Sequence, residues 1–117
     1  MSQQKIINLK YLREISDGEP VMIREIIEMF ISQVPEFIEN LKLFLNEKRY
    51  VELGKEAHKA KSSVMIVGMD QLGKRLKELQ LLTEHGEGSE RYQEYVEEFI
   101  NLCNQSIIEL EEELRAL

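Results

Sequence analysis

Leu53-Gly54-Lys55-Glu56-Ala57-His58-Lys59-Ala60-Lys61-Ser62-Ser63-Val64-Met65-Ile66-Val67-Gly68 is the stretch whose periodicity decides the fold. Leu53, Ala57, Ala60, Val64 and Val67 recur every three or four residues, the period of one helix face, and no strand-like alternation competes with it. The alanines on that face allow a second helix to come close. At about 100° of rotation per residue, His58 stands about 140° from the core direction and is turned outward. Val51, Gly54, Lys55, Lys61, Ser62 and Met65 share its side, whereas Glu56 is turned away. A glycine inside a helix costs roughly 1 kcal/mol relative to alanine. Gly54 therefore asks for a reason: room for a partner to reach the imidazole is one, and fraying at the helix end is the plain alternative.

Outward from this segment the pattern stays helical. Asn8 is suited to cap a short helix over Leu9 to Ile15, closed by Ser16-Asp17-Gly18. Pro20 fits the first turn of a long helix carrying Ile23, Ile27, Phe30, Val34, Phe37, Leu41 and Leu45. Pro35 lies within that stripe and predicts a kink rather than a break, because it lacks the N–H that would bond four residues back. Beyond Gly68, Leu72, Leu76 and Leu79 mark a further helix closed by His85-Gly86-Glu87-Gly88. Ser89 is placed to cap a last one bearing Tyr92, Val96, Phe99, Cys103, Ile107, Leu110 and Leu114. Four substantial amphipathic helices joined by short turns predict an all-α fold: an antiparallel up-down four-helix bundle with an additional short N-terminal helix. The 117 residues make one domain with one core, and residues 1–7 read as an N-terminal tail.

Composition removes several function classes. A net charge of −7 disfavours nucleic acid as a partner, since binding its backbone draws on clustered lysine and arginine. No run approaches the roughly 20 apolar residues of a membrane span. The N-terminus lacks an apolar signal core, so a cytoplasmic protein is expected, and Met1 suits a free-standing one. One cysteine and two histidines are too few for a convincing metal site, and neither histidine has a carboxylate three residues before it, as a helical metal bundle requires. The acidic run from Glu109 to Glu113 reads as a solvated face. Charge is unevenly distributed: from Gly54 to Lys77, Lys55, Lys59, Lys61, Lys74, Arg75 and Lys77 face only Glu56 and Asp70, a local net of +4 in an acidic chain.

That positive field surrounds the outward histidine. An imidazole attacks phosphorus when one ring nitrogen is unprotonated and the other is held by a hydrogen-bond acceptor. Lys61, one turn along the same face, offsets charge on phosphoryl oxygens. If the helices flanking Met69 form an antiparallel hairpin, Gln80 lies opposite His58 and its side-chain oxygen is the acceptor. No glycine-rich phosphate loop and no acidic cluster at magnesium spacing accompany these residues, so neither nucleotide nor metal is expected on this chain.

Ala57-His58-Lys59-Ala60-Lys61-Ser62-Ser63, followed by Gly68, resembles the signature of histidine phosphotransfer (HPt) domains, and the resemblance spans nearly the whole chain. His58, Lys61, Ser63, Gly68 and Gln80 match; Ser62 stands where the family usually has glycine, and Ala60 where leucine is common. The resemblance implies that His58 is phosphorylated, that Lys61 is the phosphate-side cation and that Gln80 orients the imidazole. It further implies exchange with response-regulator receiver domains, those of hybrid sensor histidine kinases among them, which bring the aspartate and Mg²⁺ in a two-component phosphorelay. Val51, Gly54, Lys55, Ser62 and Met65 are the expected docking residues, and a monomer is the expected state because the apolar stripes are used within one bundle. A helical adaptor with a chemically silent His58 is the competing expectation.

Overall fold

The computed structural model describes residues 5–117. Its helices are α1 (Lys10–Ile15), α2 (Pro20–Asn46), α3 (Tyr50–Ile66), α4 (Asp70–Glu84) and α5 (Tyr92–Ala116), with a 3₁₀ turn over Ser89–Arg91 leading into α5. The described residues contain no strand. Each apolar stripe faces the core, with Leu45, Ile107 and Leu114 half-buried at its edge. Leu53, Ala57, Ala60, Val64 and Val67 are fully buried, as are Ile27, Leu41, Leu79, Phe99, Cys103 and Leu110 from the other three long helices. α2 runs unbroken through Pro35.

Cross-helix contacts show that every neighbouring pair is antiparallel. Gln33 meets Ser63 and Asn40 meets Glu56 between α2 and α3. Arg24 reaches Leu114, and the rings of Phe37 and Phe99 meet edge to face, between α2 and α5. Arg75 pairs with Glu98 and Tyr95 with Glu78 between α4 and α5. The α3–α4 pair is the most intimate, closing an up-down four-helix ring to which α1 is added.

Three local expectations change. Residues 1–4 of the expected tail lie outside the described residues, but residues 5–7 are docked. The Glu109 carboxylate accepts from the N–H groups of Ile6 (3.0 Å) and Ile7 (3.2 Å), Lys5 pairs with Glu113 at 2.9 Å, and Ile7 is buried. The acidic run on α5 is therefore partly an anchor, because its carboxylates satisfy backbone donors that the end of a tail leaves open. Asn8 accepts from the Lys10 N–H at 3.0 Å but is not the cap: Leu9 holds the cap position, and the helix begins at Lys10 and not at Leu9. Ser89 caps nothing: it opens the 3₁₀ turn, while Tyr92 fixes the entry to α5 by donating its hydroxyl to the Glu87 carbonyl at 2.6 Å.

Candidate functional site

Two glycines set the spacing of the helices that build the site. A Cβ on Gly54 of α3 would collide with the Thr83 hydroxyl of α4, and a Cβ on Gly73 of α4 would sit 2.8 Å from Met65 Cγ of α3. His58 and Gln80 lie between these two close approaches. There a glutamine is long enough to span the gap, and Gln80 Oε1 stands 3.1 Å from His58 Nδ1. A carboxamide oxygen only accepts, so neutral His58 donates from Nδ1 and Nε2 keeps its lone pair. The ring is exposed, and no hydrogen bond among the described residues occupies Nε2. On the far side of the amide, Gln80 Nε2 donates to Glu84 Oε1 at 3.0 Å.

Gly54 thus has a different reason from the one expected. It is buried against α4 and belongs to the helix contact, and the groove beside His58 is open because no side chain fills it. The Gly54→Ala change gains roughly 1 kcal/mol of helix propensity but overpacks the contact at a cost of about 1–3 kcal/mol. We expect net destabilisation in thermal unfolding. Adding Thr83→Ala should recover most of the stability, since the colliding hydroxyl is then gone.

The groove of about 510 Å³ is lined by Val51, Gly54, Lys55 and Lys59 around His58 from α3, with Gln80, Thr83 and Glu84 from α4. Ser62 and Met65 fall instead into a neighbouring depression shared with Lys10 and Tyr11 of α1. The expected docking residues are therefore divided between two hollows on the α3 surface. Val51 is 63% exposed and Met65 43%, so both present apolar surface to solvent. Lys61 is half-buried, its stem passing near Gly73.

The local positive charge is distributed by pairing. Lys59 is taken by the buried Glu56 at 3.5 Å, a carboxylate that Asn40 also holds at 2.9 Å. Arg75 is taken by Glu78 and Glu98. Lys55, Lys61, Lys74 and Lys77 make no ion pair among the described residues and remain available to an anion. The two other nucleophilic side chains lack this setting. His85 Nδ1 also lies 2.7 Å from an acceptor, the Leu81 carbonyl, but its hollow is lined by Glu78 and Glu87 and by no lysine, and burial pushes the Cys103 thiol up to about 12, which keeps it protonated.

Sequence reasoning missed Glu84, Thr83 and the contribution of α1. Glu84 carried one available signal, its position one turn after Gln80, which puts the two side chains in reach of each other. The family model for the Hpt domain matches residues 25–117, which takes in all of α3, α4 and α5 and most of α2. No curated protein and no solved structure matches the chain.

Proposed function

This chain belongs to the Hpt domain family, the phosphocarrier modules of two-component systems, and we propose that His58 Nε2 accepts a phosphoryl group from a receiver-domain aspartate and passes it to another receiver. The observation that carries this reading is the 3.1 Å contact from Gln80 Oε1 to His58 Nδ1, which leaves the exposed nitrogen as the nucleophile. Nε2 attacks phosphorus, the bond from phosphorus to the aspartyl oxygen breaks, and the carboxylate leaves with its electron pair. The Nδ1 proton stays in place. The ring becomes cationic, and the Gln80 oxygen, already aligned with that proton, stabilises it. In the onward step a second aspartate carboxylate takes the phosphoryl group and the neutral imidazole is restored.

On this reading the aspartate and Mg²⁺ come with the receiver, and this chain contributes nucleophile, alignment and charge. Lys61 meets the phosphoryl oxygens. Val51 and Lys55 meet the receiver surface along the groove of His58, and Ser62 and Met65 meet it from the neighbouring hollow. The chain works as a cytoplasmic monomer whose exchange is governed by transient docking. Lys61→Ala should slow phosphotransfer roughly 10- to 100-fold, the worth of a hydrogen bond to a charged group, with little change in melting temperature. Rapid-quench transfer assays beside thermal unfolding check this; equal rates would remove Lys61 from the site.

The test of the reading as a whole is transfer from Mg²⁺-loaded, aspartyl-phosphorylated receivers, followed by intact mass. An acid-labile phosphoryl group on this chain is the expected result. Failure across a broad receiver panel would favour a helical adaptor with a silent His58.

A further inference from the structure

The polar chain at the site does not end at Gln80. His58 Nδ1, Gln80 Oε1, Gln80 Nε2 and Glu84 Oε1 form one connected series, with steps of 3.1 Å and 3.0 Å. A primary amide is symmetric enough in shape that turning it over costs little by packing alone. Turned over, Gln80 would offer an N–H to His58 Nδ1. Nδ1 would then have to be the unprotonated nitrogen, and the proton would sit on Nε2, where attack on phosphorus needs a lone pair. Nothing on α3 distinguishes the two orientations. Glu84 does: an ionised carboxylate accepts only, so it holds the amide N–H₂ and repels the amide oxygen.

From this geometry we infer that Glu84 is a positioning residue for phosphotransfer, selecting through Gln80 the His58 tautomer that leaves Nε2 free. Glu84 touches neither the imidazole nor the phosphoryl group, and sets the tautomer through the amide. The helix delivers it to this position, because residues 80 and 84 are one turn apart on α4. The last turn of α4 is in turn held to α3 where Thr83 rests on Gly54, while the Thr83 hydroxyl donates to the Gln80 carbonyl at 2.7 Å. Glu84 also counters the charge change. Once Nε2 is phosphorylated and Nδ1 keeps its proton, the ring is cationic, and a carboxylate at the far end of the amide favours that state over the neutral one. This inference rests on the phosphoacceptor reading for its purpose, but the tautomer it assigns exists without any phosphate.

The test is accordingly made first on the unphosphorylated protein. Nitrogen-15 spectra of the His58 ring in the neutral form should show a protonated Nδ1 and a pyridine-type Nε2 in the wild type. Glu84→Gln keeps an oxygen that can accept from Gln80 and should retain this pattern. Glu84→Ala should shift it toward a mixture and slow phosphotransfer about 3- to 10-fold, the range for one ordinary hydrogen bond. Glu84→Lys places a donor against the amide and should favour the inverted tautomer, with the slower rate of the series. Because Glu84 is exposed at the end of its helix, all three variants should fold. A wild-type ring protonated at Nε2, or a tautomer identical in wild type, Glu84→Ala and Glu84→Lys, would overturn the inference. If the tautomers move as expected while the wild type accepts no phosphate from any receiver, the inference about Glu84 stands and the phosphoacceptor reading falls.

Discussion

Replacing His58 with glutamine is expected to abolish phosphoryl uptake while leaving the bundle intact. The side chain is exposed on a helix whose opposite face carries the core, so no packing is lost. Glutamine is at least as good a helix former as histidine, and exposed substitutions of this kind usually stay within about 0.5 kcal/mol. The chemistry has no such tolerance. An amide nitrogen has its lone pair delocalised into the carbonyl and does not attack phosphorus, so the loss should reach the detection limit of intact mass spectrometry rather than a partial slowing. His85→Gln is the matched control: its hollow is lined by Glu78 and Glu87 and by no lysine that would meet a phosphoryl group, and uptake should be unchanged. Acid-labile phosphate persisting on His58→Gln would move the acceptor elsewhere and sink the assignment.

The second large effect concerns stability. Gly68 has φ +80°, a left-handed backbone, and a Cβ there would fall on the Asn8 carbonyl and 2.6 Å from the Asn8 nitrogen. Beside it, the Asn8 N–H donates to the Val67 carbonyl at 3.0 Å, so two backbone segments touch where the chain turns from α3 to α4. Gly68→Ala pays the conformational strain, about 1–3 kcal/mol, and a backbone collision that no side-chain rotation can relieve, about 1–3 kcal/mol more. Against a total stability of about 5–15 kcal/mol for a domain, the melting temperature should fall by about 10 °C or more. The least costly relaxation is release of the N-terminal segment, which buries Ile7, Leu9 and Leu12. Hydrogen exchange should therefore accelerate first at Asn8 and through α1. The groove of His58 lies on the other end of α3 and should still take up phosphate at low temperature. Wild-type melting in Gly68→Ala would mean that the docked segment does not constrain this turn.

Much of the site was legible before any fold was known, and the reason is that α-helices are local. The spacing of Leu53, Ala57, Ala60, Val64 and Val67 placed His58 outward, and all five are fully buried. Gln80 followed from the hairpin: with only Val67, Gly68 and Met69 between α3 and α4, register has little freedom, and the same register brings Gly73 against Met65. Ser89 was misread because a capping residue type is necessary and not sufficient; the Tyr92 hydroxyl took over the entry to α5. Gly54 was recognised as unusual, but its reason, the Thr83 hydroxyl, belongs to another helix.

Backbone hydrogen bonds four residues apart and a burial period near 3.6 are properties of short stretches, so the sequence by itself determined the helices, their inward faces, the outward histidine and its opposed glutamine. The docking of Lys5 to Ile7 on Glu109 and Glu113, the pairing of Lys59 with Glu56 and Asn40, and the link from Gln80 to Glu84 were decided by the tertiary structure. These contacts rest on which polar groups the packed helices bring within about 3 Å of each other, a distance that a hydrogen bond requires and that spacing along the chain does not specify.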